Sequence, residues 1–190
     1  VPGAVDRYMI FEPSGDAFPY LVAKAWDVFE KATTAFVKGN IDTELQLKDL
    51  ETVERIVRAG QYMGPYVLNW VSIGGGHDGP NPRNLMEFVN RVPQHATLTV
   101  EGIMRHLYPL CTMGIAMGLH VRCGIEDNLW ARKGERATSV QQIERLVRIS
   151  HELFRPIATG EEARRIYKIG EFYSSIDETP ERNGCLPNRK

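Results

Sequence analysis

Strand-like runs begin near residues 41, 65, 96 and 120 of this 190-residue chain, with helical patterns between them, so the repeat is about 25 to 30 residues. That alternation constrains the fold most, because parallel neighbours need a crossover, and a crossover of this length is normally a helix. Residues 41–47 set Ile41, Thr43, Leu45 and Leu47 against Asp42, Glu44 and Gln46, the period-two pattern of a strand. A short helix is expected over 49–59, ending at Gly60. Residues 65–73 form a nearly unbroken apolar and aromatic run, as in a strand buried on both faces. The pattern then predicts a helix over 82–92, a strand over 96–100, a helix ending near Met117 with Pro109 in its first turn, and a last strand over 120–125. Ser139 with Gln142 reads as a capping box before an amphipathic helix through Val140, Ile143, Leu146, Val147 and Leu153; Thr159 with Glu162 repeats the device for a short final helix. The fold class is therefore α/β, with about four βα units: either part of a TIM (β/α)8 barrel, which needs eight units and typically about 250 residues, or a doubly wound open sheet.

Outside these units, residues 1–19 are expected to be an irregular opening segment rich in Pro and Gly. Val22, Ala25, Trp26, Phe29 and Phe36 predict a one-faced helix over 20–37, at the start of a domain running over 20–170. Residues 171–190, polar and carrying Pro180 and Pro187, read as an extended tail. The chain opens on Val1, which suggests a processed, truncated or partial chain. A hydrophobic content of 43% and a net charge of −1 give a globular chain with no basic stripe, which removes support for nucleic-acid binding. Cys111, Cys123 and Cys185 are odd in number and widely spaced, against a disulfide framework or a zinc ribbon and in favour of reduced thiols in the cytoplasm. No apolar run reaches the roughly 20 residues of a membrane span, and residues 1–10 lack a secretion signal.

Two stretches carry candidate chemistry. The first, His120-Val121-Arg122-Cys123-Gly124-Ile125-Glu126-Asp127-Asn128, places charge at the end of an otherwise apolar segment. On a continued strand Arg122, Gly124 and Glu126 share one face, with the glycine leaving a gap between cation and carboxylate. That is either a pocket wall or an Arg122–Glu126 structural salt bridge. The second is the loop Gly74-Gly75-Gly76-His77-Asp78-Gly79, directly after a strand and before a helix. Its backbone N–H groups suit a carboxylate or phosphate, although the spacing matches no dinucleotide or P-loop motif, and a plain βα connection is an equal reading. In a barrel both stretches, with Arg105, fall at the C-terminal ends of strands, where barrel active sites lie.

The run Thr97-x-Thr99-Val100-x-Gly102-Ile103-x-Arg105-His106-x-x-Pro109-Leu110, followed by Gly118-x-His120-Val121-Arg122-x-Gly124-x-Glu126-Asp127-Asn128, resembles the β-keto acid cleavage enzymes, the 3-keto-5-aminohexanoate cleavage type. The resemblance continues through Ala137-Thr138-Ser139 and Ala158-Thr159-x-x-Glu162-Ala163-Arg164. It implies a zinc-dependent TIM barrel, of which this chain is the C-terminal half. The implied reaction is an acyl transfer of retro-Claisen type, turning a β-keto acid and acetyl-CoA into acetoacetate and a new CoA thioester. By the same resemblance Glu126 is a Zn²⁺ ligand, Arg122 orients substrate and steadies oxyanion charge, and Asp127 acts with it in proton abstraction. Arg105, His106 and the glycines 74–76 are expected to edge the substrate or CoA site.

The family's zinc ligands include a His-x-His pair, which occurs nowhere here: His77, His95, His106, His120 and His151 are isolated. His120 is read as strand packing or support. The first strands of the family have no counterpart, and residues 41–49 depart from its Glu-x-Glu and Phe-Asp pattern. The two imidazoles are therefore expected from outside this chain, on an N-terminal half-barrel chain or segment, in an oligomer. The alternatives are a non-catalytic half-barrel subunit, or another zinc-dependent carbon–carbon lyase on the same fold.

Overall fold

A computed structural model describes residues 44–45, 50–72 and 79–186 of the chain. The expectations for residues 1–37, the glycines 74–76 and His77 lie outside the described residues. Strands β1 (Glu44–Leu45), β2 (Val67–Ser72), β3 (Thr97–Gly102) and β4 (His120–Val121) form one parallel sheet in the order β1-β2-β3-β4. The connections carry α1 (Leu50–Arg58) between β1 and β2, α2 (Pro82–Arg91) between β2 and β3, and α3 (Leu107–Ala116) between β3 and β4. The chain is thus α/β with consecutive parallel strands, as the alternation predicted. Among the described strands no order reversal of the doubly wound kind occurs.

Period-two alternation divides the sheet into two unlike faces. Leu68 and Trp70 of β2 and Leu98 and Val100 of β3 join Leu50 and Val57 of α1, Leu85 and Phe88 of α2 and Leu110 of α3 in one apolar core. Fully burying each such side chain stabilises the fold by roughly 1.5–3 kcal/mol. Val121 of β4 extends the layer toward Leu107, Cys111 and Ile115 of α3 and Leu146 of the helix beyond. The opposite face is polar and equally buried: Asn69, Thr99, Glu101 and His120, with Arg122 just past β4. Register places Asn69 beside Thr99 and Thr99 beside His120, and Val71 beside Glu101. At its lower part this face is covered by Tyr167, whose hydroxyl pairs with the Thr99 hydroxyl at 2.8 Å and whose ring meets His120 edge-on.

Three local expectations are corrected. The last strand stops at Val121 instead of residue 125. Arg122 N–H still donates to Val100 O, but β3 gives way to a 3-10 turn (Met104–His106) after Gly102, and no partner strand remains. The capping box before α4 (Ser139–Glu152) is Thr138 with Gln141, one residue earlier than expected. Gln142 is fully buried and its amide donates to the Asn128 carbonyl, and a side chain committed there does not cap. The segment from residue 171 is not extended over its described part, and α5 (Gly160–Ile166), capped by Thr159 and Glu162 as expected, is not the final helix. A further helix, α6 (Glu178–Arg182), returns to the start of β2. There Asn183, 1% exposed, accepts from Tyr66 N–H at 2.7 Å and donates to Gly64 O and Thr179 O.

A hairpin, β5 (Trp130–Arg132) with β6 (Glu135–Arg136), links the last sheet strand to α4 and was not expected. Its turn, Lys133-Gly134, places Gly134 at φ +82°, the left-handed conformation that a glycine adopts without a Cβ penalty. Among the described residues no helix is long and apolar enough to cross a membrane.

Candidate active site

The C-terminal ends of β3 and β4 bring four charged side chains together. Glu101, on the last turn of the β3 ladder, is fully buried, and Arg122 beside it is 7% exposed. An uncompensated buried carboxylate would be severely destabilising, and the Arg122 guanidinium supplies the compensation through Nη1, 3.0 Å from Glu101 Oε2. Nη2 of the same guanidinium lies 2.5 Å from Glu126 Oε1. Arg122 is therefore held between a carboxylate that water does not reach and one whose side chain is 64% exposed.

The route to Glu126 differs from the expected one. Arg122, Gly124 and Glu126 do not share a strand face: a tight turn over 125–127, closed by Asp127 N–H and Asn128 N–H both donating to Gly124 O, folds Glu126 back over the guanidinium. The anticipated Arg122–Glu126 proximity is thus real, and loop geometry produces it. The turn is braced from three sides. Asn128 donates through its amide to Trp130 O at 2.8 Å and accepts from Trp130 N–H at 3.1 Å, while its own carbonyl takes the Gln142 amide. Asp127 O accepts from Met104 N–H at 2.7 Å. Met104 is held at φ +54°, a left-handed conformation unusual for a long side chain, on the turn that follows β3.

Asp127, 9% exposed, aims its carboxylate at the space over Gly124: a Cβ placed there would sit 3.4 Å from Asp127 Oδ2 and 3.7 Å from Glu126 Cγ. The glycine does keep a gap open, though between two carboxylates instead of between cation and carboxylate. Gly102 has a stricter task, since a Cβ there would lie 2.6 Å from His106 O. That close approach seats the 3-10 turn against the end of β3. Arg105 and His106 stand on this turn, at the same end of the sheet as the charged cluster, and Arg105 Nε donates to His106 Nε2 at 3.1 Å. The hydrogen bond joins them to each other and not to Glu126.

Ligating oxygens of Glu101, Glu126 and Asp127 lie within 4.8 Å of one another, the one group of potential metal ligands among the described residues. As a donor set it offers carboxylate oxygen alone, whereas Zn²⁺ sites are built mainly on imidazole and thiolate with carboxylate as one arm. Glu126, exposed and on a turn, fits that single arm. His120 does not join the set; its ring packs on Tyr167.

Glu101 was missed as a site residue, although a signal like the one that picked out Glu126 was present: an acid at the end of a strand-like segment. A cleft of about 400 Å³ bordered by Tyr66, Gln94 and Cys185 lies at the opposite, N-terminal end of the sheet, away from this chemistry.

A polar sheet face ending in a guanidinium–carboxylate cluster, at the C-terminal edge of parallel strands, defines the class: an α/β protein with charge gathered where parallel-strand folds place their sites. The model of the β-keto acid cleavage enzyme family matches residues 8–169. The chain is 42% identical over 137 residues to the 3-keto-5-aminohexanoate cleavage enzyme of Fusobacterium nucleatum, covering 70% of this chain and 50% of that protein. It is 32% identical over 139 residues to the enzyme of that name from Acetoanaerobium sticklandii, covering 71% and 51%. To the 3-dehydrocarnitine:acetyl-CoA trimethylamine transferase of Rhizobium meliloti it is 34% identical over 135 residues, covering 71% and 42%. The chain belongs to the β-keto acid cleavage enzyme family, and it spans about half the length of the relatives it matches.

Proposed function

We propose that this chain is the C-terminal half of a zinc-dependent TIM barrel that takes a β-keto acid and acetyl-CoA to acetoacetate and a new CoA thioester. The observation that carries the reading is Arg122 pinned between Glu101 and Glu126, with Asp127 alongside, at the strand ends of a chain of this family. The remaining half of the barrel, on a partner chain or an adjoining segment, supplies two imidazoles, closes the sheet and makes the active protein an oligomer or an assembled pair in the cytoplasm. Consecutive strand order supports a barrel segment over an open doubly wound sheet.

Each residue has a task that its geometry suits. Glu126 is one oxygen arm of the metal site; Zn²⁺ bound there supplies Lewis-acid polarisation of the substrate's oxygens. Arg122, buried and fixed, presents a guanidinium to the substrate carboxylate and to the oxyanion charge that develops on the keto group, where low dielectric strengthens it. Asp127, braced by the Met104 N–H on its carbonyl, accepts the α-proton that leaves a carbanion for attack on the acetyl thioester. That attack breaks the thioester C–S bond and expels CoA thiolate, which adds to the ketone; carbon–carbon cleavage then forms the new thioester and leaves a carbanion that takes up a proton to become acetoacetate. Arg105, His106 and the glycines 74–76 edge the entrance used by CoA.

The choice among reactions is supported by the relatives' names, two of which are transferases that name acetyl-CoA. The test is acetoacetate formation by the protein purified with every polypeptide that accompanies this chain. Product that strictly requires both acetyl-CoA and a β-keto acid, and that disappears in Glu126→Ala together with the zinc, supports the proposal. Carbon–carbon cleavage without acetyl-CoA would point to the lyase, and zinc content unchanged by Glu126→Ala would leave only the salt bridge and a non-catalytic subunit.

A further inference from the structure

Arg122 is bound by two carboxylates of very different character, and the reading above asks one of them, Glu126, to hold a cation as well. We propose that Glu101 is a positioning residue: the permanent counter-ion of Arg122 that releases Glu126 to exchange the guanidinium for a divalent cation. The inference rests on the assignment of Glu126 as a metal ligand.

Three observations carry it. Glu101 is fully buried within the β3 ladder, flanked by β2 through the Val71–Glu101 pairing and by the Val100–Arg122 hydrogen bond on the other side, so its carboxylate is fixed. Glu126 sits on a turn with its side chain mostly in water, so its carboxylate is free to move. Arg122 is buried whichever carboxylate it keeps. Taking a counter-ion from a buried cation is strongly unfavourable, and without Glu101 that cost would hold Glu126 more firmly on Arg122. With Glu101 in place at 3.0 Å, Glu126 gives up only an exposed pair, an interaction worth less than about a factor of five in equilibrium.

The experiment is a zinc-affinity measurement by competition with a chromophoric chelator, on the assembled protein stripped and reloaded. Glu101→Gln keeps the shape and removes the charge, and zinc affinity is expected to fall by about 10–100-fold, the range seen when groups supporting a metal ligand are removed. Glu101→Asp retains most of the affinity. The decisive variant is Glu101→Gln with Arg122→Gln, in which the buried cation is gone; affinity returns to within about threefold of wild type, because the two changes cancel through their shared partner. A double variant as weak as Glu101→Gln alone would overturn the proposal, showing Glu101 to be a direct ligand or a structural support. So would an unchanged affinity in Glu101→Gln. If Glu101→Gln does not fold, a double variant that folds and binds zinc sustains the proposal, and one that fails as well overturns it. If Glu126→Ala binds zinc as wild type does, the metal assignment and this inference fall together, whereas loss in Glu126→Ala with no loss in Glu101→Gln sinks the inference alone.

Discussion

The two ends of the sheet bury polar groups by opposite strategies. At the N-terminal end Asn183, itself buried, satisfies Tyr66 N–H, Gly64 O and Thr179 O with neutral hydrogen bonds. At the C-terminal end Glu101 and Arg122 bury formal charge, and the arm that completes the cluster, Glu126, reaches water. Neutral closed networks fix a structure, and charged open ones leave it able to exchange partners with a ligand. On the function proposed, the contrast separates the part of the molecule built for stability from the part built for chemistry.

Substitutions at each end sharpen that difference. Arg122→Leu takes the guanidinium away from the buried Glu101 carboxylate and is expected to cost roughly 3–5 kcal/mol in chemical denaturation. Asn183→Ala leaves the Tyr66 N–H and the Gly64 carbonyl short of a partner at the other end, while Thr179 O keeps the backbone N–H of residue 183, for about 2–3 kcal/mol in the same measurement, without altering zinc content. Glu126→Gln breaks only the exposed half of the charged cluster, so stability falls by less than about 1 kcal/mol while zinc and turnover are lost. Equal stability losses from Glu126→Gln and Arg122→Leu would erase the distinction between the open and the closed arm.

The smallest effect concerns pH. The backbone N–H of Thr159, and then its hydroxyl, hold the Glu162 carboxyl below its ordinary value. A lowered folded pKa contributes stability above the unfolded carboxylate value of about 4.3, lost as pH falls through the folded value. Thermal melts of Glu162→Gln should therefore show a shallower decline than wild type on the acid side and no difference in slope near neutrality.

Strand and helix order was legible because each element carries a local signal: residues 65–73 are a nearly unbroken apolar run, as befits a strand that buries Leu68 and Trp70, and Leu85 and Phe88 recur at helical spacing. The Thr159–Glu162 box was legible because it is local. The charged cluster was legible only in part. Arg122, Glu126 and Asp127 lie within one short stretch, but Glu101 joins them across a strand pairing that spacing along the chain does not encode. The capping box moved by one residue for the same reason, since Gln142 is claimed by Asn128, fourteen residues away. Asn183 gave no signal at all, because a lone Asn in a polar tail looks like any other until the chain folds back on residues 64–66.

The central claim is that Glu126 ligates zinc with two imidazoles from outside this chain. Its most direct test is an anomalous-difference map at the zinc edge on crystals of the assembled protein. The account predicts a peak about 2.0–2.2 Å from a Glu126 carboxylate oxygen, with two histidine nitrogens at about 2.0–2.1 Å completing the protein ligands. A map with no peak there, or with a metal bound elsewhere while Glu126 remains on Arg122, would contradict it.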